Sequence, residues 1–281
     1  MSGPATVDVV TVDSPGKPGG DDILTMSNVT LNFGGLSAVS NVDMNLRVGE
    51  LVGLIGPNGA GKTSIFNLLT GVYPPTSGKV TFTRDGRARN LGGMKPYAIC
   101  WAGIGRTFQN IRLFRALPVI ENVMIALQHN VPYSLASAFL HTPRYGRLEK
   151  QIREESLELL RIMGLEDDAN ELAQNLPYGK QRRLEIARAM ATHPVLLLLD
   201  EPAAGMNPAE TADLTELIGW LRTNFNLTIL LIEHDMSLVM DICERIYVLD
   251  HGVLIASGTP SEIQHNPAVI EAYLGEEAAD A

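Results

Sequence analysis

Hydrophobic positions change their spacing several times along the chain, and each change marks a different kind of element. Val29, Leu31 and Phe33 alternate with polar neighbours, and so do Val42, Met44, Leu46 and Val48. That period predicts two half-buried strands, turned through Gly34 and Gly35 into an antiparallel sheet. Residues 51–56, LVGLIG, are apolar without alternation and predict a strand buried on both faces, while KTSIFNLLT after them repeats at helical spacing until Gly71 stops it. Val195–Leu199 and Thr228–Ile232 are further continuous apolar runs. The pattern therefore predicts an α/β fold: a parallel sheet covered by helices on both faces, with a small antiparallel sheet ahead of it.

Residues 118–175 hold no comparable strand run. Ile152, Leu159, Ile162 and Met163 share one helical face ahead of Gly164, which predicts a helical lobe inserted in the sheet over about residues 115–192. Inside it, Val131–Arg147 sets Pro132, Pro143 and Gly146 around the apolar stretch Leu135–Leu140, and reads as an insertion packed on the lobe or as a partner contact. The ends differ from all of this. Residues 1–21 carry Pro, Gly and Asp without the basic start and apolar core of a signal peptide, so a disordered tail is expected there. The folded domain is expected over 22–275, with a second short tail at 276–281.

Composition narrows the function classes. A length of 281 residues at 45% hydrophobic allows one large domain, and a net charge of -10 leaves no overall basic field, which argues against nucleic acid as the main partner. The longest aliphatic run, Val195–Leu199, is far below the roughly 20 apolar residues that span a bilayer. Cys100 and Cys243 lie far apart without CxxC spacing, and His129, His141, His193, His251 and His265 form no ligand motif, so disulfide and zinc readings fall away.

The chemistry sits at the strand ends. GPNGAGKT, comprising Gly56, Pro57, Asn58, Gly59, Ala60, Gly61, Lys62 and Thr63, fits the GxxxxGK[ST] phosphate loop, with Ser64 next to it, and stands between an apolar strand and a helix. Backbone N–H groups and the helix start attract phosphate, Lys62 reaches the β and γ phosphates, and the Thr63 hydroxyl is placed to ligate Mg²⁺. The second buried strand ends in Asp200 and Glu201. Asp200 suits the hydration shell of Mg²⁺ and Glu201 the polarisation of water, although an acid before Pro202 could also cap a helix. The third ends in Glu233-His234-Asp235, where His234 could bind a γ phosphate or be an ordinary surface histidine.

In this order, these pieces resemble the ATP-binding subunits of the ABC transporter superfamily over about residues 23–275. The resemblance implies a P-loop NTPase (RecA-like) core with an N-terminal antiparallel β-subdomain and an inserted helical subdomain. It makes GPNGAGKT the Walker A, VLLLLDE the Walker B, His234 the switch histidine, Gln109 in GRTFQN the Q-loop glutamine near Mg²⁺, and Phe33 the adenine-stacking aromatic. The family signature LSGGQ falls on LPYGKQRRLEIARAM from Leu176, so Tyr178, Gly179 and Lys180 would face the γ phosphate of ATP held by an opposite subunit. This chain departs there: Pro177 replaces the serine and Tyr178 a glycine, and AAGMN carries Asn207 where the family has aspartate.

Finer matches, among them GGLSAV, YGKQRRLEIAR, DEPAAGMNP, LIEHDMSLVM, RIYVLDHG and NPAVIEAYLG, resemble the paired ATPases of branched-chain amino acid importers. The resemblance implies membrane permease subunits, a second ATP-binding subunit in a homo- or heterodimer, an indirect periplasmic substrate-binding protein and a place at the cytoplasmic face of the membrane. Urea and short-amide importers are the nearest alternative. ABC ATPases acting on DNA or ribosomes would bring a long coiled coil or a fused second ATPase domain, and the sequence has neither.

Overall fold

A computed structural model describes residues 21–128 and 143–279, so residues 1–20, residues 129–142 with most of the expected insertion, and residues 280–281 lie outside the described residues. The first sheet is antiparallel, in the order β2-β1-β4-β5. It is built from β1 (Asp22–Phe33), β2 (Leu36–Arg47), β4 (Ser77–Arg84) and β5 (Arg87–Asn90). The sequence pattern gave only the first two of these strands. β4 and β5 bury Val80 and Phe82 alone and carry no alternation long enough to read.

The second sheet runs β10-β9-β3-β8-β7-β6. β3 (Leu51–Ile55), β6 (Ile104–Arg106), β7 (Leu196–Asp200), β8 (Thr228–Ile232) and β9 (Arg245–Asp250) are mutually parallel, and β10 (Val253–Gly258) closes one edge antiparallel to β9. Its continuous apolar strands have a direct cause: Leu196, Leu198, Leu230 and Ile232 pack toward the antiparallel sheet and α1 (Lys62–Leu69), while Leu197, Leu199, Ile229 and Leu231 join the core formed with the helices. Both faces of each strand are buried, so neither can be polar.

The helical stretch comprises α3 (Val119–Leu127), α4 (Pro143–Ile162) and α5 (Tyr178–Met190), following α2 (Pro96–Ala102) and β6. Ile152, Leu159 and Met163 are buried, Ile162 packs against the same core, and Gly164 takes a left-handed φ of 67° where α4 ends. After β7 come α6 (Pro208–Asn224), α7 (Met236–Ile242), α8 (Pro260–Gln264) and α9 (Pro267–Ala279). α9 runs past the expected boundary at 275, because Glu276, Glu277, Ala278 and Ala279 are strong helix formers that carry the helix beyond Gly275. No described helix is long and apolar enough to cross a membrane.

Candidate active site

In an open parallel sheet, ligands collect at the carboxyl ends of the strands, and here β3, β7 and β8 end in Ile55, Asp200 and Ile232. The loop after β3 is set by close packing. A Cβ at Gly56 would lie 1.9 Å from the Leu249 carbonyl oxygen, and one at Gly61 would lie 2.4 Å from that of Ala38. With φ values of 148° and 103°, both positions exclude any side chain, so these glycines serve the seating of the loop on its neighbours as well as its curvature. Gly252 N–H donates to the Ala60 carbonyl at 2.9 Å, which fixes the loop's far side. Asn58 and Gly59 stay exposed at its tip.

Lys62 is buried, and its Nζ donates to the carbonyls of Gly56 (2.6 Å) and Pro57 (2.8 Å), holding the ammonium inside the curl of the loop. α1 starts at this lysine with Gly61 as N-cap, no capping side chain and no acid in its first turn, so no residue of the first turn offsets the positive helix end. Thr63 is exposed and Ser64 half-buried on the same first turn. Phe33 is 43% exposed and meets the Tyr73 ring edge-on at 4.9 Å. Tyr73 was not readable as a partner, since 40 residues of sequence separate two strands' worth of chain that the fold brings side by side.

The three carboxylates at the strand ends have three different environments. Asp200 is 2% exposed; its Oδ2 accepts from Arg106 Nη2 at 2.8 Å, while its Oδ1 is buried and has no protein partner. Burial pushes its carboxyl above the ordinary range, and Arg106 opposes that shift. Glu201 takes a left-handed φ of 47°, an unusual backbone for glutamate. Its two oxygens are shared: Oε2 accepts from Gln109 Nε2 at 2.9 Å and Oε1 pairs with His234 Nε2 at 2.8 Å. Glu233 is buried and accepts from Ala203 N–H (2.7 Å) and His234 N–H (3.1 Å), tying the loop after β7 to the loop after β8; burial raises its carboxyl. Neither Asp200 nor Glu201 caps a helix. That work falls to Asn207, whose side chain accepts from Ala209 N–H and Glu210 N–H at 3.0 Å, and to Asp235 on α7.

Gln109, Glu201 and His234 are thus brought into one hydrogen-bonded group. The contacts of Tyr178, Gly179 and Lys180 run elsewhere. Lys180 Nζ pairs with Asp168 at 2.6 Å, Tyr178 stands 45% exposed, and a Cβ on Gly179 would lie 3.2 Å from Glu210 Oε1. Two residues further along the helix, sequence reasoning missed a buried pair. Arg182, fully buried, donates to the carbonyls of Phe108 (2.7 Å) and Gln109 (2.9 Å), to the Tyr178 hydroxyl (3.3 Å) and to Glu185 (2.8 Å). Glu185 accepts in turn from the N–H groups of Phe108 and Arg112, both at 3.2 Å. The start of α5 is therefore fastened to the backbone of the Gln109 loop. Arg182 and Arg183 look alike in sequence, and only the helix rotation tells which one is inside.

Among the described residues no group of three or more His, Cys, Asp or Glu side chains gathers to hold a metal. The orphaned Oδ1 of Asp200 and the exposed hydroxyl of Thr63 are hard oxygen donors of the kind Mg²⁺ takes.

The family model described as ABC transporter matches residues 39–204, and one described as branched-chain amino acid ATP-binding cassette transporter matches residues 253–279. The high-affinity branched-chain amino acid transport ATP-binding protein LivG of Salmonella typhimurium is 52% identical over 254 residues, which is 90% of this chain and 98% of that protein. A crystal structure of a nucleotide-free ATP-binding cassette from an ABC transporter is similar at TM-score 0.77 and 28% identity, over 90% of this chain and 99% of that one. A dimeric ATP-binding cassette in a post-hydrolysis state, bound to ADP and Pi, is similar at TM-score 0.70 and 26% identity, over 84% and 98%.

Proposed function

The chain belongs to the ABC transporter ATP-binding family, ATPases coupled to transport, and on that premise we propose that it powers an importer of branched-chain amino acids by hydrolysing MgATP at a site shared between two ATP-binding subunits. The observation that carries the hydrolytic reading is the group formed by Gln109, Glu201 and His234 beside the phosphate loop.

ATP would lie with its adenine on Phe33 and its phosphates across the N–H groups of residues 56–64. Lys62 would then exchange its two carbonyl partners for phosphate oxygens, a change favoured by opposite charge. Thr63 and Asp200 would hold Mg²⁺, with Gln109 at its edge; when bound, the ion supplies charge neutralisation of the β and γ phosphates. Glu201 would accept the proton of the attacking water as it approaches the γ phosphorus, oriented by Gln109 on one oxygen and by His234 on the other. His234, once released from Glu201, has the donor to meet the γ phosphate.

The opposite face of that ATP would be covered by α5 of a second ATP-binding subunit. In this chain that helix starts without a capping side chain, so Gly179 and its neighbours offer free N–H groups in place of the missing serine hydroxyl. Membrane permeases would engage the surface around Gln109, with the subunit at the cytoplasmic side and a periplasmic binding protein delivering the amino acid.

The test is reconstitution in proteoliposomes with the permeases, the second ATPase and the binding protein. ATP hydrolysis stimulated by leucine, isoleucine or valine and accompanied by their uptake is the expected result. Stimulation by urea or short amides alone would overturn the substrate reading, and absence of hydrolysis would overturn the enzymatic one.

A further inference from the structure

Arg106 is the last residue of β6 and three residues before Gln109, yet its side chain is only 7% exposed. A buried guanidinium is costly and needs partners. This one has them on three sides. Nη2 donates to Asp200 Oδ2 at 2.8 Å; Nη1 donates to Asn67 Oδ1 at 2.8 Å and Thr70 Oγ1 at 3.0 Å, both on or at the end of α1. The rings of Phe66 and Phe108 lie 5.4 and 5.0 Å from its carbon centre. The next residue, Thr107, is fully buried and accepts the Asp200 N–H at 3.2 Å, while Gln109 reaches Glu201. A stretch of four residues thus touches the Asp200 side chain, the Asp200 backbone and the Glu201 side chain in turn.

We propose that Arg106 is a positioning residue for Asp200: by holding Oδ2 from the α1 side, it aims the unpartnered Oδ1 at the metal that accompanies the nucleotide. The inference rests on the ATPase reading above. A carboxylate with one oxygen locked has lost its freedom to rotate, and the oxygen left over, Oδ1, is buried at the end of β7 without a hydrogen-bond partner. Arginine suits the task because its planar fork serves Asp200 and the α1 acceptors at once, whereas lysine would have to choose between them. Buried ion pairs of this kind add little to stability compared with an apolar filling, so a function in orientation accounts for it better than a function in folding.

The experiment compares wild type, Arg106→Met and Arg106→Lys by titrating ATP with and without Mg²⁺ and recording ATP turnover and thermal unfolding. For Arg106→Met, affinity without Mg²⁺ should stay within about twofold of wild type. The tightening that Mg²⁺ brings should shrink at least about tenfold, and turnover should fall by about 10²-fold, with Arg106→Lys in between. Because Arg106→Met leaves Asp200 buried without its partner and could misfold, Asn67→Leu with Thr70→Val provides a second route. It keeps the Arg106–Asp200 pair but frees the guanidinium from α1, and should weaken the Mg²⁺ response in the same sense. A wild-type Mg²⁺ response in all three variants would overturn the proposal, as would equal losses with and without Mg²⁺ that follow the loss of thermal stability. A wild-type protein with no MgATP binding at all would instead sink the ATPase reading itself.

Discussion

The phosphate-loop end and the α5 end of this chain are both helix starts without capping side chains, but they are built very differently. At the first, the loop is seated on two backbones, Lys62 is folded into it, and at the neighbouring strand ends Glu201 pairs with His234 while Asp200 is held by Arg106 through one oxygen. At the second, Tyr178 is exposed, Lys180 is drawn to Asp168, and Gly179 faces only Glu210. One end is a group of side chains already gathered by the fold; the other is an exposed helix start, which the proposed function pairs with the ATP of a second subunit. On the proposed function the chain would carry two halves of two sites rather than one whole site, and the Arg182–Glu185 pair ties the start of α5 to the Gln109 loop between them.

Substitutions at each end sharpen that contrast. The largest effect on nucleotide affinity is expected for Lys62→Ala, which removes the ammonium proposed to face phosphate and its two bonds to the loop carbonyls. MgATP affinity should fall at least about 10²-fold, or roughly 3 kcal/mol, in titrations with a fluorescent ATP analogue on the isolated subunit. Unchanged affinity would sink the phosphate-loop assignment.

Gly179→Asp should act only in company. Nucleotide binding by the isolated subunit should survive, whereas hydrolysis in the assembled transporter should drop about 10²-fold as a carboxylate meets the γ phosphate of the partner site. The new carboxylate would also lie against that of Glu210 within its own chain, so the double variant with Glu210→Gln, which removes the like charge, separates the causes. Recovery of hydrolysis in the double variant would assign the defect to that internal clash and remove α5 from the shared site.

The link between the ends is tested by stability. Arg182→Met leaves Glu185 buried and unpaired and should cost about 3–5 kcal/mol in denaturant unfolding, much of it regained in Arg182→Met with Glu185→Met. If the double variant recovers stability but keeps the hydrolysis of the wild type, the pair is packing and no coupling runs through it. The smallest effect is expected for Phe33→Ala, which should weaken adenine nucleotides by about 1–3 kcal/mol while leaving competition by inorganic polyphosphate unchanged. Equal loss for both ligands would make Phe33 a simple packing residue.

How much of this the sequence reveals follows the same division. GPNGAGKT, Asp200-Glu201 and His234 are read directly because each sits at the end of a buried strand whose apolar run is unmistakable. The family resemblance adds Gln109 and Phe33. What is hidden is what depends on tertiary rotation: that Arg182 rather than Arg183 faces inward, that Arg106 at the end of a three-residue strand turns onto Asp200, and that Tyr73 meets Phe33. A charged residue closing an otherwise buried strand was the available cue for Arg106. β4 and β5 escaped because their burial is one-sided and brief, and Asn207, marked in the sequence only as a replacement for aspartate, commits its side-chain oxygen to the cap of α6.

The central claim is that hydrolysis by Glu201 opens a pair of subunits that ATP has closed. Glu201→Gln keeps the size of the side chain and groups able to bond Gln109 and His234, but removes its capacity to take a proton from water. Turnover should fall by about 10² to 10⁴-fold while MgATP binding persists. The decisive measurement is size-exclusion chromatography with light scattering on this variant, alone and with its partner subunits, with phosphate release recorded in parallel. The account predicts a closed pair of ATP-binding subunits that appears with MgATP and persists. Wild-type turnover, or lost turnover with no closed pair even when every partner is present, would contradict it.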